Sequence, residues 1–378
     1  MIKLTDEELH RQALVIDTHA DTLQLVLDEK LDLAEGSDKL EIDLPKAAVG
    51  GLKALFFSIW VDPKLYSGQK AVDRAFGLIG ALKTQAERHP DSIEIATTAT
   101  GIERAVKSGK LAALMGVEGG HALNGNIENL YRLHNEGARY LTITWSNTNE
   151  LGDSSGDLKS PSIKHHGGLT EMGRRVVSEM NRIGMIVDIS HVSDQTFNDV
   201  LGITTKPVIA SHSCARALCD HPRNLTDDML TSVARNRGVV CINFYPLFLD
   251  NGFRKQKDEV DTSLKEEYRA IDEHSPDDPI RASSEKDRLQ RKFLAKTESI
   301  SYERIVDHIE YVIKIAGEDH VGLGSDFDGI PATPRGMRSV ADLPKLTKEL
   351  RHRGHRDETI RKILGGNVMR VCREVISE

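Results

Sequence analysis

The chain has 378 residues, 39% of them hydrophobic and 29% charged, with a formal net charge of −8. That length supports one large domain with insertions or two smaller ones, and the absence of a basic patch interleaved with aromatics argues against nucleic acid as a partner. The opening MIKLTDEELHRQ has no apolar signal region, no apolar run is long enough to span a membrane, and Cys214, Cys219, Cys241 and Cys372 form no CxxC pair, so a cytoplasmic protein with reduced thiols is expected.

In chain order, short apolar runs at 14–18, 52–60, 111–117, 138–144, 184–190, 207–211, 238–243 and 320–325 predict eight strands. Amphipathic stretches separate most of them. In 169–183, Leu169, Met172, Val176, Val177, Met180 and Ile183 share one helical face, and 302–316 repeats that pattern. Residues 61–110 are too long for one crossover and predict two helices. Residues 245–300, with KQKDEVD, LKEEYRA and SEKDRLQRK, predict a charged helical insertion over the barrel mouth. Alternating β and α implies a parallel sheet. Eight units fit a (β/α)8 TIM barrel spanning 1–378 as one domain, with helical insertions at the C-terminal rim. An open doubly wound sheet competes, although no GxGxxG follows the first strand.

A barrel of this kind carries its chemistry where its strands end. The first strand exits into Thr18-His19-Ala20-Asp21, the third into Glu118-Gly119-Gly120-His121, and the fifth into His191. The sixth exits into Ser211-His212-Ser213 and the eighth into Asp326-Phe327-Asp328. Each residue alone has a bland explanation, such as a cap or a core histidine. Together they place acids and imidazoles from five strands at one rim, which marks a metal or catalytic site. Imidazole with carboxylate favours zinc over magnesium or calcium. His19, Asp21, His191, His212 and Glu118 exceed the needs of one tetrahedral ion and suit two, bridged by Glu118 and by a hydroxide. Asp326 would take the hydroxide's proton and pass it to a leaving amine. His121, and His165 with His166 in a loop, are weaker candidates. Asp188 reads as a partner of ligands rather than a ligand.

The chain also resembles the membrane (renal) dipeptidase family of zinc hydrolases, within the amidohydrolase-like superfamily. The resemblance rests on IDTHAD (16–21), GGLKALFFSIWV (50–61), GVEGGHAL (116–123), GLTEMGRRVVSEMNRIGMIVDISHVSD (168–194), PVIASHS (207–213), HVGLGSDFDG (320–329) and GGNVMRV (365–371). It implies a binuclear zinc barrel that cleaves dipeptides, with two zinc ions per chain. His19 and Asp21 would bind one ion, His191 and His212 the other, with Glu118 bridging, Asp326 handling the proton and Arg223 gripping the substrate carboxylate. Where the family often has a histidine after LTIT, this chain has Trp145, which offers one donor and no charge. Trp145 is therefore expected to line the substrate pocket. A related alternative is an amidohydrolase acting on another small amide, such as an N-acyl amino acid. A homodimer is expected only from the base rate for soluble proteins.

Overall fold

The structure is a computed structural model that describes residues 4–276, 278–294 and 299–376. Among the described residues nine parallel strands form: β1 (Val15–Ala20), β2 (Leu52–Trp60), β3 (Ile93–Ile95), β4 (Leu111–Glu118), β5 (Ala138–Thr142), β6 (Ile186–Asp188), β7 (Ile209–Ser213), β8 (Val239–Ile242) and β9 (Val321–Leu323). Eight of them close a ring in the order β1-β2-β4-β5-β6-β7-β8-β9, with β9 returning to β1 through Asp17 and Leu323. This is the (β/α)8 TIM barrel expected from the eight apolar runs.

The ninth strand was not foreseen. β3 pairs with Leu111–Ala113 of β4, just before β5 takes up the pairing at Met115. Three residues carry too little alternation to register as a strand. Around it, 61–110 holds the two expected helices, Gln69–Arg88 and Ala99–Lys107.

Strand periodicity separates two cores. Ile16, Phe56, Leu114, Tyr140, Ile186, Ile209 and Cys241 belong to an inner cluster, which the C-terminal helix Asn367–Val375 joins through Val368, Met369 and Cys372. Their sequence neighbours Val15, Phe57, Met115, Leu141, Val187, Ala210 and Val240 belong to the outer cluster, shared with the surrounding helices. Because every strand is covered on both faces, each reads as an apolar run until it reaches the rim.

The helices start where the strands end, and their caps help to fix the rim. Ser193, two residues after His191, accepts from Thr196 N–H and begins the helix Asp194–Ile203. Thr226, three after Arg223, caps Asp227–Arg235 in the same way. The charged stretch between β8 and β9 is helical among its described residues, with helices Pro246–Leu249, Asn251–Ser263, Lys265–His274 and Pro279–Leu294.

Candidate metal centre and active site

The strand ends bring His19, Asp21, Glu118, His191, His212 and Asp326 together. Glu118, the last residue of β4, sits between imidazoles. Its Oε2 lies 3.4 Å from His19 Nε2, while its Oε1 lies 2.9 Å from His191 Nε2 and 3.4 Å from His212 Nε2. Ser58 Oγ–H, from the facing strand β2, donates to Oε2 at 3.3 Å. His19 Nε2 also lies 3.5 Å from Asp21 Oδ2. Two sets of potential ligand atoms each fall within 4.8 Å of one another: His19, Glu118 and His212, and His19, Asp21 and Asp326.

Backbone geometry aims these groups. His191 has φ 68° and Asp326 has φ 64°, both in the left-handed region that non-glycine residues avoid. His191 is held there because its carbonyl accepts from the N–H of Ser155 at 2.8 Å and from its hydroxyl at 2.9 Å. Asp326 N–H donates to His19 O at 3.0 Å, and Asp21 N–H to Phe327 O at 2.9 Å, so the ends of β1 and β9 are tied together.

The proton inventory calls for a cation. Ser211 Oγ–H donates to Asp188 Oδ2 at 2.6 Å, so Ser211 Oγ accepts from His212 Nδ1–H at 2.8 Å. His212 Nε2 is then a bare lone pair, aimed at Glu118 and, at 2.9 Å, at His191 Nε2. Asp188 thus reaches the His212 ring through Ser211. His19 Nδ1 meets the Tyr140 hydroxyl at 2.7 Å, while its buried Nε2, like Asp21 Oδ1, has no hydrogen-bond partner. The free nitrogen of His212 and the carboxylate oxygens of Glu118 and Asp21 that converge here fit divalent metal, and the N and O donor set fits zinc.

Within the cluster, burial works against charge on His19, yet Tyr140, Glu118 and Asp21 raise its imidazole well above the usual range. Burial, followed by the nearby Arg223 charge, pushes the His191 imidazole down to about 3, and burial with His19 holds His212 well below its usual range. Both rings therefore stay neutral at physiological pH. Burial works against charge on Glu118, yet the charge of His19 and its hydrogen bond outweigh it and hold the carboxylate well below its usual range. Asp326 differs: burial, with the charges of Asp21 and Glu118, raises it to about 7 against the pull of His19.

Arg223 lies 5% exposed beside this cluster. Its Nη2–H donates to His212 O at 3.0 Å, its Nη1–H to Ser213 Oγ at 3.3 Å, and its Nε has no partner. The guanidinium sits 5.3 Å from the Phe248 ring centroid. Trp145 forms an aromatic wall, 5.0 Å from Trp60 and 6.2 Å from His191 between ring centroids. His121 turns away, its ring nitrogen 2.8 Å from Val61 O, and His166 faces Asn149 O at 3.1 Å.

Several residues of the site escaped the sequence reading. Asn243, just past β8, donates through Nδ2–H to Asp326 Oδ2 at 2.8 Å. Tyr140, Ser58 and Trp60 lie within strands whose apolar character hid them. Tyr245 carries a buried hydroxyl without a partner and packs on Phe248 at 5.1 Å. The available signal was positional: Trp60 and Asn243 also stand at strand exits.

Comparison with known proteins agrees with this geometry. The family model described as membrane dipeptidase (peptidase family M19) matches residues 5–377. Dipeptidase tcpJ of Claviceps purpurea is 36% identical over 341 residues, covering 88% of this chain and 69% of that protein. Dipeptidase aclJ of Aspergillus oryzae is 32% identical over 342 residues, with 89% and 70% covered. Among solved structures, the probable dipeptidase PvdM of Pseudomonas aeruginosa superposes with a TM-score of 0.82 at 26% identity, covering 98% of this chain and 97% of that one. A metallo peptidase of Rhodobacter sphaeroides, liganded with a phosphinate mimic of the dipeptide L-Ala-D-Ala, gives 0.78 at 26% identity, with 96% and 99% covered. No helix among the described residues is long and apolar enough to cross a membrane. A barrel rim built of imidazoles and carboxylates, matched along nearly its whole length, makes this chain a member of the membrane dipeptidase family, peptidase family M19, and a metal-dependent dipeptidase.

Proposed function

We propose that this chain hydrolyses dipeptides with two zinc ions held by His19, Asp21, His191, His212 and a bridging Glu118. The observation that carries the reading is Glu118, whose two carboxylate oxygens face different imidazoles, His19 on one side and His191 with His212 on the other. When bound, the metals supply a Lewis-acid centre that activates water and polarises the scissile carbonyl.

The chain's own residues do the rest. Arg223 grips the substrate carboxylate, and its buried guanidinium suits that task because two parallel hydrogen bonds are strongest away from water. Asp326 accepts the proton of the attacking water and returns it to the leaving amine. A carboxyl clustered with His19 and Asp21 is placed to do both. Asn243 occupies Oδ2 and leaves Oδ1 for the proton. Trp145 and Trp60 exclude water from the wall beside His191.

The test is amine release from L,L and L,D dipeptides by zinc-loaded protein beside a chelated control. Zinc-dependent cleavage supports the reading. In Asp326→Asn with both metals retained, turnover should fall by roughly a hundredfold or more, and wild-type turnover would sink the proton role. Trp145, in place of an imidazole, favours a second reading in which the same centre cleaves N-acyl amino acids. That reading requires N-acyl cleavage by fully loaded protein that leaves every dipeptide intact. The four cysteines are free and buried, which supports a cytoplasmic, reducing setting.

A further inference from the structure

Helix Pro279–Leu294, in the charged stretch between β8 and β9, carries Arg291 to the rim where β1 and β9 end. Arg291 Nη2–H donates to Asp328 O at 2.8 Å, and Nη1–H to Glu41 Oε1 at 3.4 Å. Glu41 and Asp328 also bind each other's backbone. Glu41 N–H donates to Asp328 Oδ1 at 2.6 Å, and Asp328 N–H donates to Glu41 Oε2 at 2.5 Å. Thr22 Oγ1–H, one residue past Asp21, donates to Asp328 Oδ2 at 2.5 Å. The insertion, the loop after β1 and the turn after β9 therefore meet at Asp328.

That turn needs an anchor. Asp326 and Asp328 have φ 64° and 65°, where the β-carbon crowds the backbone, and such residues persist only when their surroundings hold them. Holding the turn by pairing Glu41 with Asp328 sets two buried carboxyls side by side: burial raises Asp328 to about 6, and burial with the Asp328 charge raises Glu41 to about 8. Arg291 is a cation that faces both.

We propose that Arg291 is a positioning residue for hydrolysis: it bridges Glu41 and the Asp328 carbonyl, and so holds the 326–328 turn with Asp326 aimed at the reacting amide. The inference rests on the proton-carrying reading of Asp326. It gives the charged insertion a catalytic purpose, since the hydrogen bonds of Arg291 among the described residues go to the turn and its brace.

Arg291→Ala should keep its fold and zinc content while kcat falls roughly tenfold or more, because small misplacements of reacting groups are costly. KM should change by less than about threefold, since Arg291 touches no part of the carboxylate-gripping group. Hydrogen exchange at the amides of residues 326–329 should quicken, in zinc-free protein as well. Millimolar guanidinium should restore part of the kcat of Arg291→Ala and none of that of Asp326→Asn. Glu41→Ala approaches the same anchor from the other side, and the double variant should lose no more than the worse single one. Wild-type kcat in Arg291→Ala, a loss confined to KM, or a kcat loss with unchanged exchange at 326–329 would each overturn the proposal. Asp326→Asn, run alongside, separates the two ideas. Its full activity would sink the proton role itself, whereas an inactive Asp326→Asn beside a fully active Arg291→Ala would sink only the positioning role.

Discussion

Gly329 shows how closely the acids of this site are packed. A β-carbon there would lie 2.1 Å from Asp21 Oδ2 and 2.9 Å from Asp326 Oδ1. Gly329→Ala must therefore push Asp21 out of line, although the backbone could accept the residue. The expected result is weaker zinc binding and a turnover loss of roughly tenfold or more, measured by metal titration and steady-state kinetics. Tyr140 offers a second test. Its hydroxyl meets His19 Nδ1 at 2.7 Å and so sets which imidazole nitrogen is free for metal. Gly116 makes room for that ring, since a β-carbon would fall 1.8 Å from Tyr140 Cζ. Tyr140→Phe should keep the packing and lower zinc affinity roughly 10- to 100-fold, read by competition with a chromophoric chelator. An unchanged affinity would show that the hydroxyl does not orient His19.

The helix Glu303–Ala316 carries a pH dependence separate from the metal centre. Its His308 is fully buried, accepts from Ala215 N–H at 3.1 Å through Nδ1, and lies 3.0 Å from Leu249 O through Nε2. Burial pushes this imidazole down to about 4, so it folds in the neutral form. The unfolded chain binds the proton more readily. The stability from neutral His308 is therefore fully present above about pH 6.5 and is lost as pH falls towards 4. Between pH 7.5 and 5 the loss from this one group is on the order of 2 kcal/mol. Urea unfolding at both pH values should show a smaller drop in His308→Gln than in wild type, and equal drops would contradict the assignment. Elements also mark the limits of sequence reading. The helices 171–183 and 303–316 were legible because apolar residues recur at helical spacing, whereas β3 was too short to show a period.

At the scale of the whole molecule, the barrel gathers three carboxylates and three imidazoles into a mostly buried mouth. Like charges held together in that way destabilise the fold until a cation joins them. Zinc removal should therefore lower the melting temperature, since ligand at about 100 times its Kd contributes about 2.7 kcal/mol. Thermal scans with and without chelator should show the shift, and His191→Ala should diminish it. A chelator-insensitive melting temperature would mean that the metals do not couple to folding.

What the residues alone determined was local and periodic. Eight apolar runs of strand length, separated by helical patterns, imply a parallel sheet whose eight units fit a barrel, because strands covered on both faces have few polar residues to spare. The polar residues that end them then fall at one rim, which is why His19, Asp21, Glu118, His191, His212 and Asp326 could be named before any contact was known. Arg223 and Trp145 were legible only through the family resemblance, since a loop arginine and a loop tryptophan have no period. Only the closed barrel decided the pairings that orient those groups. Tyr140 and His19 are 121 positions apart, Asn243 and Asp326 83, and Arg291 and Asp328 37. Such contacts depend on how the ring closes and where the insertion lands. A hydrogen bond between distant segments leaves no periodic trace in either of them.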